Sequence, residues 1–392
     1  MGVNIVNSSP STGTIRNELP TGTFHPPKSN PALYTTEDHR IYLAESTPLN
    51  PGPEDCVVHV KANGICGSDL HFWKKGEIGY LHVESDYILG HEGAGVILWV
   101  GDAVKTLRVG DRVAIEPGIP CGNCYQCSTG KYNLCANVRF TGAPPHNGSI
   151  RRYHVHPAKY LHKIPANLSF SDGALLEPLS VVLHGFERSP TRAGQSVLIC
   201  GAGPIGLIAL AVAKSSGAFP IIITDLDTGR LEFAKKFVPG CITFKISPKD
   251  IPESTGTKIQ EVFMKMGAAP PAVVYECTGV ESSIVTAAFS TRRGGEVMVI
   301  GVGRPVVNNI PFMHISMAEI DLKFINRYHH SWPYAIRFVQ SGYINLKPLV
   351  THTFRLEEAE AAMETAADRS KGSVKIHIID SDEDRPQELS HL

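Results

Sequence analysis

The residues best equipped for chemistry fall into two sets with different spacing. The first is compact: "CGNCYQCSTGKYNLC" carries Cys121, Cys124, Cys127 and Cys135 in the pattern C-x2-C-x2-C-x7-C. Four thiolates in one short loop suit a closed tetrahedral zinc site with no position left for water. A ferredoxin-type cluster wants a shorter last spacing and a following proline, whereas seven residues intervene here and Ala136 follows. Disulfides are the other use of such a loop. The nine cysteines are odd in number and unevenly spread, which favours metal binding in a reducing compartment. A closed metal site cannot activate a substrate, so the reaction lies elsewhere.

The second set is dispersed. "NGICGSDLHFW" offers Cys66, Ser68, Asp69 and His71, "ILGHEGAG" offers His91 and Glu92, and "LLEPLS" offers Glu177. Each alone has a plain alternative: a cysteine after an apolar strand is usually core, and a His–Glu pair often caps a turn. Together they supply a thiolate, an imidazole and carboxylates, a set suited to zinc with an open coordination position.

A third pattern concerns phosphate. "VLICGAGPIGLIALAVAKSSG" places Gly201, Gly203 and Gly206 as G-x-G-x-x-G, with Pro204 and Ile205 inside the motif, after a strand-like run and at the start of a helical one. The glycines serve a tight turn, close approach to a pyrophosphate, and close packing of helix on strand. The phosphates would lie at the positive helix N-terminus. The next strand ends in Asp225, nineteen residues after Gly206. A carboxylate there accepts from both ribose hydroxyls and repels a 2′-phosphate, so the expected cofactor is NAD rather than NADP. Arg230 is placed to stack on adenine or to sit free on the surface.

These residues need elements to hold them. From about Tyr42 to Leu161 short β-rich runs alternate with Gly and Pro, which predicts a small barrel-like β domain. Near Gly194 the texture changes. "SVLIC", "PIIITD", "AVVYEC" and "EVMVIG" read as buried strands with helices between them, which predicts a doubly wound parallel sheet. After about Phe324 no further periodic strand is expected, and "WPYAIRFVQSG" and "LEEAEAAMETA" read as amphipathic helices. Residues 1–35, polar and rich in Ser, Thr, Pro and Asn, read as a flexible arm, and residues 381–392 as an acidic tail.

Composition excludes other classes. The formal net charge is −1 over 392 residues with acids and bases mixed, so no nucleic-acid or anionic-membrane partner is expected. The longest apolar stretch, residues 197–213, is broken by Gly201, Gly203, Pro204 and Gly206, so no membrane span is expected. No secretory signal is evident, and the expected compartment is the cytoplasm. The final Ser390-His391-Leu392 resembles a peroxisomal address and gives the alternative. A zinc-finger reading of the cysteine loop lacks a basic surround and leaves the glycine motif without a role.

Taken together, "GICGSDLHFW", "GHEGAGVILWVG", the four-cysteine loop, "LEPLS" and the late glycine motif resemble the zinc-dependent medium-chain dehydrogenases, over about residues 38–380. That resemblance implies an α/β architecture: a GroES-like β-rich catalytic domain over 36–188 and 328–380, and a Rossmann domain over 189–327. It implies two zincs per chain, a structural one on the four-cysteine loop and a catalytic one on Cys66, His91 and Glu92, with Glu177 a direct or water-mediated ligand. Ser68 and His71 would carry the proton, and Gly301 and Val302 would approach the nicotinamide. Phe72, Phe140, Arg327 and Tyr328 would line the substrate pocket, with Arg327 also near the cofactor. An inter-domain salt bridge is the other use of Arg327. The family is commonly tetrameric, so a homotetramer is expected.

Glu177 in "EPL" and the stretch "INRYHHSWP" resemble the sorbitol-dehydrogenase-like polyol branch. Within it, Phe72, "LLEPLSV", "ECTGVESSI" and "IGVGRPVVNNIPFM" resemble fungal L-arabinitol 4-dehydrogenases. Phe72 removes a hydroxyl that would bond a longer polyol, which favours a pentitol. "GAPP" with Ala143, and His329 and His330, depart from that pattern and leave xylitol and sorbitol open.

Overall fold

The computed structural model describes residue 24 and residues 27–380. The expected acidic tail and the terminal Ser390-His391-Leu392 lie outside these residues, as does most of the N-terminal arm. Part of the arm is ordered. Pro31–Thr35 is a strand paired antiparallel with Ile41–Glu45 and touching Tyr87–Ile88. The polar composition of the arm ends before it: Ala32 and Leu33 are fully buried, so the arm stops short of residue 35.

The β-rich half is built on a seven-stranded sheet. Its centre is Asp55–Gly64, flanked antiparallel by Glu92–Val100 and by Lys375–Ile379. The registers set Gly64 opposite both Glu92 and His377. A short parallel pair, Val350–Arg355 with Lys375–Ile379, closes one side. These two strands correct the expectation that periodic strands end after Phe324. Residues 350–355 alternate partly buried and exposed, and their half-polar composition hid them behind the two amphipathic helices, which are present as Trp332–Gln340 and Ala359–Ala367.

The other half is a six-stranded parallel sheet in the spatial order Ile242–Lys245, Ile221–Asp225, Val197–Cys200, Val273–Glu276, Glu296–Val299, Asp321–Phe324. The order reverses between Val197–Cys200 and Val273–Glu276, and ligands bind sheets of this kind at the carboxyl ends beside that switch point. Val197–Cys200, at the centre of the sheet, is wholly apolar and buried because helices cover both faces.

One helix joins the halves. Leu176–Arg188 starts at the β-rich sheet and buries Leu179 and Val182 in a core shared with Val197 and Ile199, and with Trp332 and Ala335 of Trp332–Gln340. Each such aliphatic side chain contributes roughly 1.5–3 kcal/mol on burial. The first turn of this helix, with Glu177, is therefore fixed between the two sheets. Among the described residues no helix is long and apolar enough to cross a membrane.

Candidate active site

Strand register brings the dispersed set together. Cys66 lies just past Asp55–Gly64 and is the N-cap of the helix Gly67–Lys75, while His91 and Glu92 open the neighbouring strand. Ligand atoms of Cys66, His91 and Glu92 all lie within 4.8 Å of one another. Asp69, fully buried, ties the two loops. Its Oδ2 accepts from the Cys66 N–H at 2.8 Å and its Oδ1 from the Gly90 N–H at 3.1 Å, and the same Oδ1 stands 3.5 Å from His91 Nδ1. A carboxylate behind an imidazole is how proteins orient a metal-binding histidine. Ser68 Oγ lies 3.4 Å from His91 Nε2.

Glu177 does not belong to that tight cluster but faces it. Burial pushes its carboxyl up to about 7, with His91 opposing and Glu92 adding to the rise. The phenol of Tyr328 stands beside it. Sequence reading missed Lys375. Its buried ammonium donates to the Ile65 carbonyl at 3.1 Å and lies 2.7 and 2.5 Å from the two oxygens of Glu92. The signal was present: a lysine inside the apolar run "VKIHII" has to be paired to be buried. The donor set fits a divalent ion. Cys66, Glu92 and Glu177 leave one negative charge over, and Lys375 offsets it.

The four-cysteine loop passes a similar test. All four thiols are free, and their sulfurs lie within 4.8 Å of one another. Cys124 and Cys127 sulfurs are 3.5 Å apart and those of Cys121 and Cys127 are 4.0 Å apart. Tetrahedral thiolates at zinc bond length stand about 3.8 Å apart. Backbone N–H groups of Asn123 and Cys124 hold the Cys121 thiol down to about 6, while desolvation and the neighbouring sulfurs push Cys127 up to about 12.

The loop also touches the pocket wall. Asn133 Nδ2 donates to the Asn326 carbonyl at 2.8 Å, and Asn326 Nδ2 returns a bond to the Asn133 carbonyl at 3.3 Å. The Tyr132 hydroxyl donates to buried Glu116 at 2.7 Å and accepts from the His330 N–H at 2.9 Å. Arg327, just past the first anchor, and His330, at the second, are both left-handed at φ 55° and 53°. Left-handed non-glycine residues carry strain that surrounding contacts must hold.

That strap completes the pocket. The Arg327 guanidinium stacks 3.6 Å over the Phe140 ring, whose centroid is 5.7 Å from that of His91. Tyr328 and Phe140 line the same small cleft. Phe72 is buried in the core cluster that contains Phe140, with its ring edge-on to Tyr87. His71 is half-buried on the same helix as Ser68; burial pulls its pKa down, and Lys75 adds to this.

The glycine motif stands at the switch point. Gly203 caps the helix Pro204–Ser215, Pro204 begins it, and Ile205 packs partly buried beside it. A Cβ on Gly206 would stand 1.8 Å from the Gly201 carbonyl oxygen, so helix and turn touch only because Gly206 has none. Asp225 Oδ2 accepts from the Ala202 N–H at 2.7 Å, which puts the carboxylate against the turn. The Arg230 guanidinium reaches to 4.0 Å from the Cβ position of Gly203. Gly301 and Val302 follow the strand Glu296–Val299, with Val302 exposed.

Residues 52–166 match the alcohol dehydrogenase GroES-like domain and residues 204–341 match the zinc-binding dehydrogenase family. An L-arabinitol 4-dehydrogenase of Aureobasidium melanogenum is 50% identical over 363 residues, covering 90% of this chain and 97% of that protein. The chain belongs to the zinc-dependent medium-chain dehydrogenases. A sorbitol dehydrogenase of Macaca fascicularis is 42% identical to this dehydrogenase, covering 82% of the chain and 88% of its own length. The dehydrogenase also superposes on a zinc-binding dehydrogenase of Sinorhizobium meliloti 1021 bound to NADP, with TM-score 0.79 and 28% identity, over 90% of this chain and all of that one.

Proposed function

We propose that this dehydrogenase oxidises a secondary hydroxyl of a polyol to a ketone with NAD, and that L-arabinitol, giving L-xylulose, is its preferred substrate. The observation that carries the reading is the cluster of Cys66, His91 and Glu92, with Glu177 and Tyr328 beside it and Arg327 linked to His91 through the Phe140 ring. When bound, zinc would acidify the substrate hydroxyl and NAD would accept the carbinol hydride. Cys66, His91 and Glu92 would hold the zinc, with Glu177 a direct or water-mediated ligand. The residues do the rest. Ser68, next to His91, receives the hydroxyl proton and passes it toward His71 and solvent. Arg327, with several donors in a planar fork, binds the remaining hydroxyls of the chain. Phe140, beside His91, keeps the wall apolar, and Phe72 supports it from the core cluster they share.

Asp225 at the phosphate turn argues for NAD over NADP, because its charge opposes a 2′-phosphate. The cysteine loop would hold a second, structural zinc. A homotetramer fits the open edge strand Asp321–Phe324, with Phe324 exposed on it and Phe312, Met313 and Met317 exposed on the preceding helix Phe312–Met317. Identity to sorbitol dehydrogenases favours sorbitol or xylitol as the second reading.

The deciding experiment is kcat/KM for L-arabinitol, xylitol, D-sorbitol and galactitol under one set of conditions, with metal analysis. About two zincs per chain and highest kcat/KM for L-arabinitol are expected. Higher kcat/KM for D-sorbitol would move the assignment to the second reading, and no turnover of any polyol would refute both.

A further inference from the structure

Glu276, the last residue of the strand Val273–Glu276, has no place in the proton path or the metal sites. It is nonetheless fully buried, 0% exposed, and its carboxylate is met by uncharged donors. Oε1 accepts from the Thr278 N–H at 2.9 Å, the Thr278 hydroxyl at 2.5 Å and the Ser283 hydroxyl at 2.9 Å. Oε2 accepts from the Gly279 N–H at 2.9 Å. Burial pushes this carboxyl up and the four donors oppose that rise; they favour the ionised form and converge on one short segment.

That segment is wedged between two loops. A Cβ on Gly279 would stand 2.4 Å from the carbonyl carbon of Val302, and one on Gly301 would stand 2.0 Å from the Gly279 nitrogen. On the other side, the Thr278 methyl is 2.7 Å from the Cβ position of Gly201 in the phosphate turn. The Glu276 backbone carbonyl accepts from the Ile300 and Gly301 N–H groups at 2.8 and 3.0 Å. One residue therefore grips the 278–279 segment with its side chain and the 300–301 loop with its main chain.

We propose that Glu276 is a positioning residue for the nicotinamide half of the cofactor, its carboxylate clamping Thr278 and Gly279 as the backing for Gly301–Gly303. The inference rests on the NAD reading above. Glutamine fills the same volume but keeps one oxygen. Its amide nitrogen meets either Gly279 N–H or the Thr278 and Ser283 donors, so at least one buried N–H or O–H loses its acceptor and the segment shifts. ADP-ribose ends before the nicotinamide and depends on Gly201–Gly206 and Asp225 instead.

The test is the Kd for NADH and for ADP-ribose in the wild type, E276Q and T278V, with thermal unfolding and the emission maximum of bound NADH recorded alongside. E276Q is expected to raise the NADH Kd about tenfold, or 1.4 kcal/mol, with a change under about threefold for ADP-ribose and NADH emission moved toward that of free NADH. T278V, which removes one donor to Glu276 and the acceptor of the exposed Val280 N–H, leaves the Thr278 and Gly279 N–H bonds in place and should move the NADH to ADP-ribose ratio the same way by less. A folded E276Q with unchanged NADH binding, or equal loss for both ligands, overturns the proposal. If E276Q does not fold, an unchanged ratio in T278V overturns it. A wild type that binds neither ligand overturns the cofactor reading and this inference with it; normal wild-type binding beside unmoved variants overturns this inference alone.

Discussion

Tyr132→Phe tests whether the cysteine loop shapes the substrate pocket. The hydroxyl it removes bridges Glu116 at 2.7 Å and the His330 N–H at 2.9 Å. Glu116 keeps His162 at 2.6 Å, so its loss is partial. His330 is exposed, so water replaces part of its bond. The net cost is about 1–2 kcal/mol. It falls on a strap whose left-handed Arg327 and His330 already store roughly 1–3 kcal/mol each, released when a restraint is lost. A relaxed Arg327 leaves the Phe140 ring and meets the substrate hydroxyls less well. The KM for the polyol should rise about 5- to 30-fold, with kcat changed less. The KM for NAD should change less than that for the polyol, since the glycine motif and Asp225 lie on the other sheet. Steady-state kinetics at saturating NAD reads this, with thermal unfolding as the control, expected to fall by only a few degrees. A large drop in melting temperature with polyol KM unchanged would refute the coupling and leave the loop as scaffold alone.

Other outcomes follow from the same geometry. Cys66→Ser should abolish turnover while leaving a folded protein with about one zinc, whereas Cys124→Ser should lower the melting temperature and the zinc content together; metal analysis and thermal unfolding separate them. Asp225→Ser should move the NAD to NADP ratio of kcat/KM by about 100-fold or more, since charge-assisted bonds to the ribose and repulsion of the 2′-phosphate are each worth about 1.5–3 kcal/mol; an unchanged ratio would sink that assignment. Burial pulls His156 down to about 4, so well above pH 6.5 it is neutral in both folded and unfolded chains. Below that the unfolded chain takes up a proton that the folded one refuses, and stability falls with pH by about 1.4 kcal/mol per unit until about pH 4. Denaturant unfolding of His156→Asn across this window should show a shallower pH dependence than the wild type.

Local pattern made much of this chain legible. The glycine spacing, the strand before it and Asp225 after it are neighbours in sequence, so strand, turn and helix could be read without knowing what packs on them. The same holds for Cys121, Cys124, Cys127 and Cys135, whose loop is its own site. Cys66, His91, Glu92 and Glu177 were legible as chemistry and as a resemblance. Their convergence was not, because it depends on Gly64 standing opposite Glu92 across two strands and on a helix wedged between two sheets.

What the tertiary structure decided is what crosses from one segment to another. Lys375 enters from the last strand to meet Glu92, and that strand is hard to read because its five residues are buried almost throughout, with Lys375 and His377 among isoleucines and no alternation to mark it. Asp69 becomes the tie between two loops only when Gly90 is brought to its carboxylate. Tyr132 and Asn133 reach residues 326–330, nearly two hundred positions away. Hydrogen bonds of that range leave no trace in spacing, since each partner alone is an ordinary surface or turn residue. The residue types and local order determined the chemistry available; the register of the central sheet and the strap held against the cysteine loop decided which groups face one another.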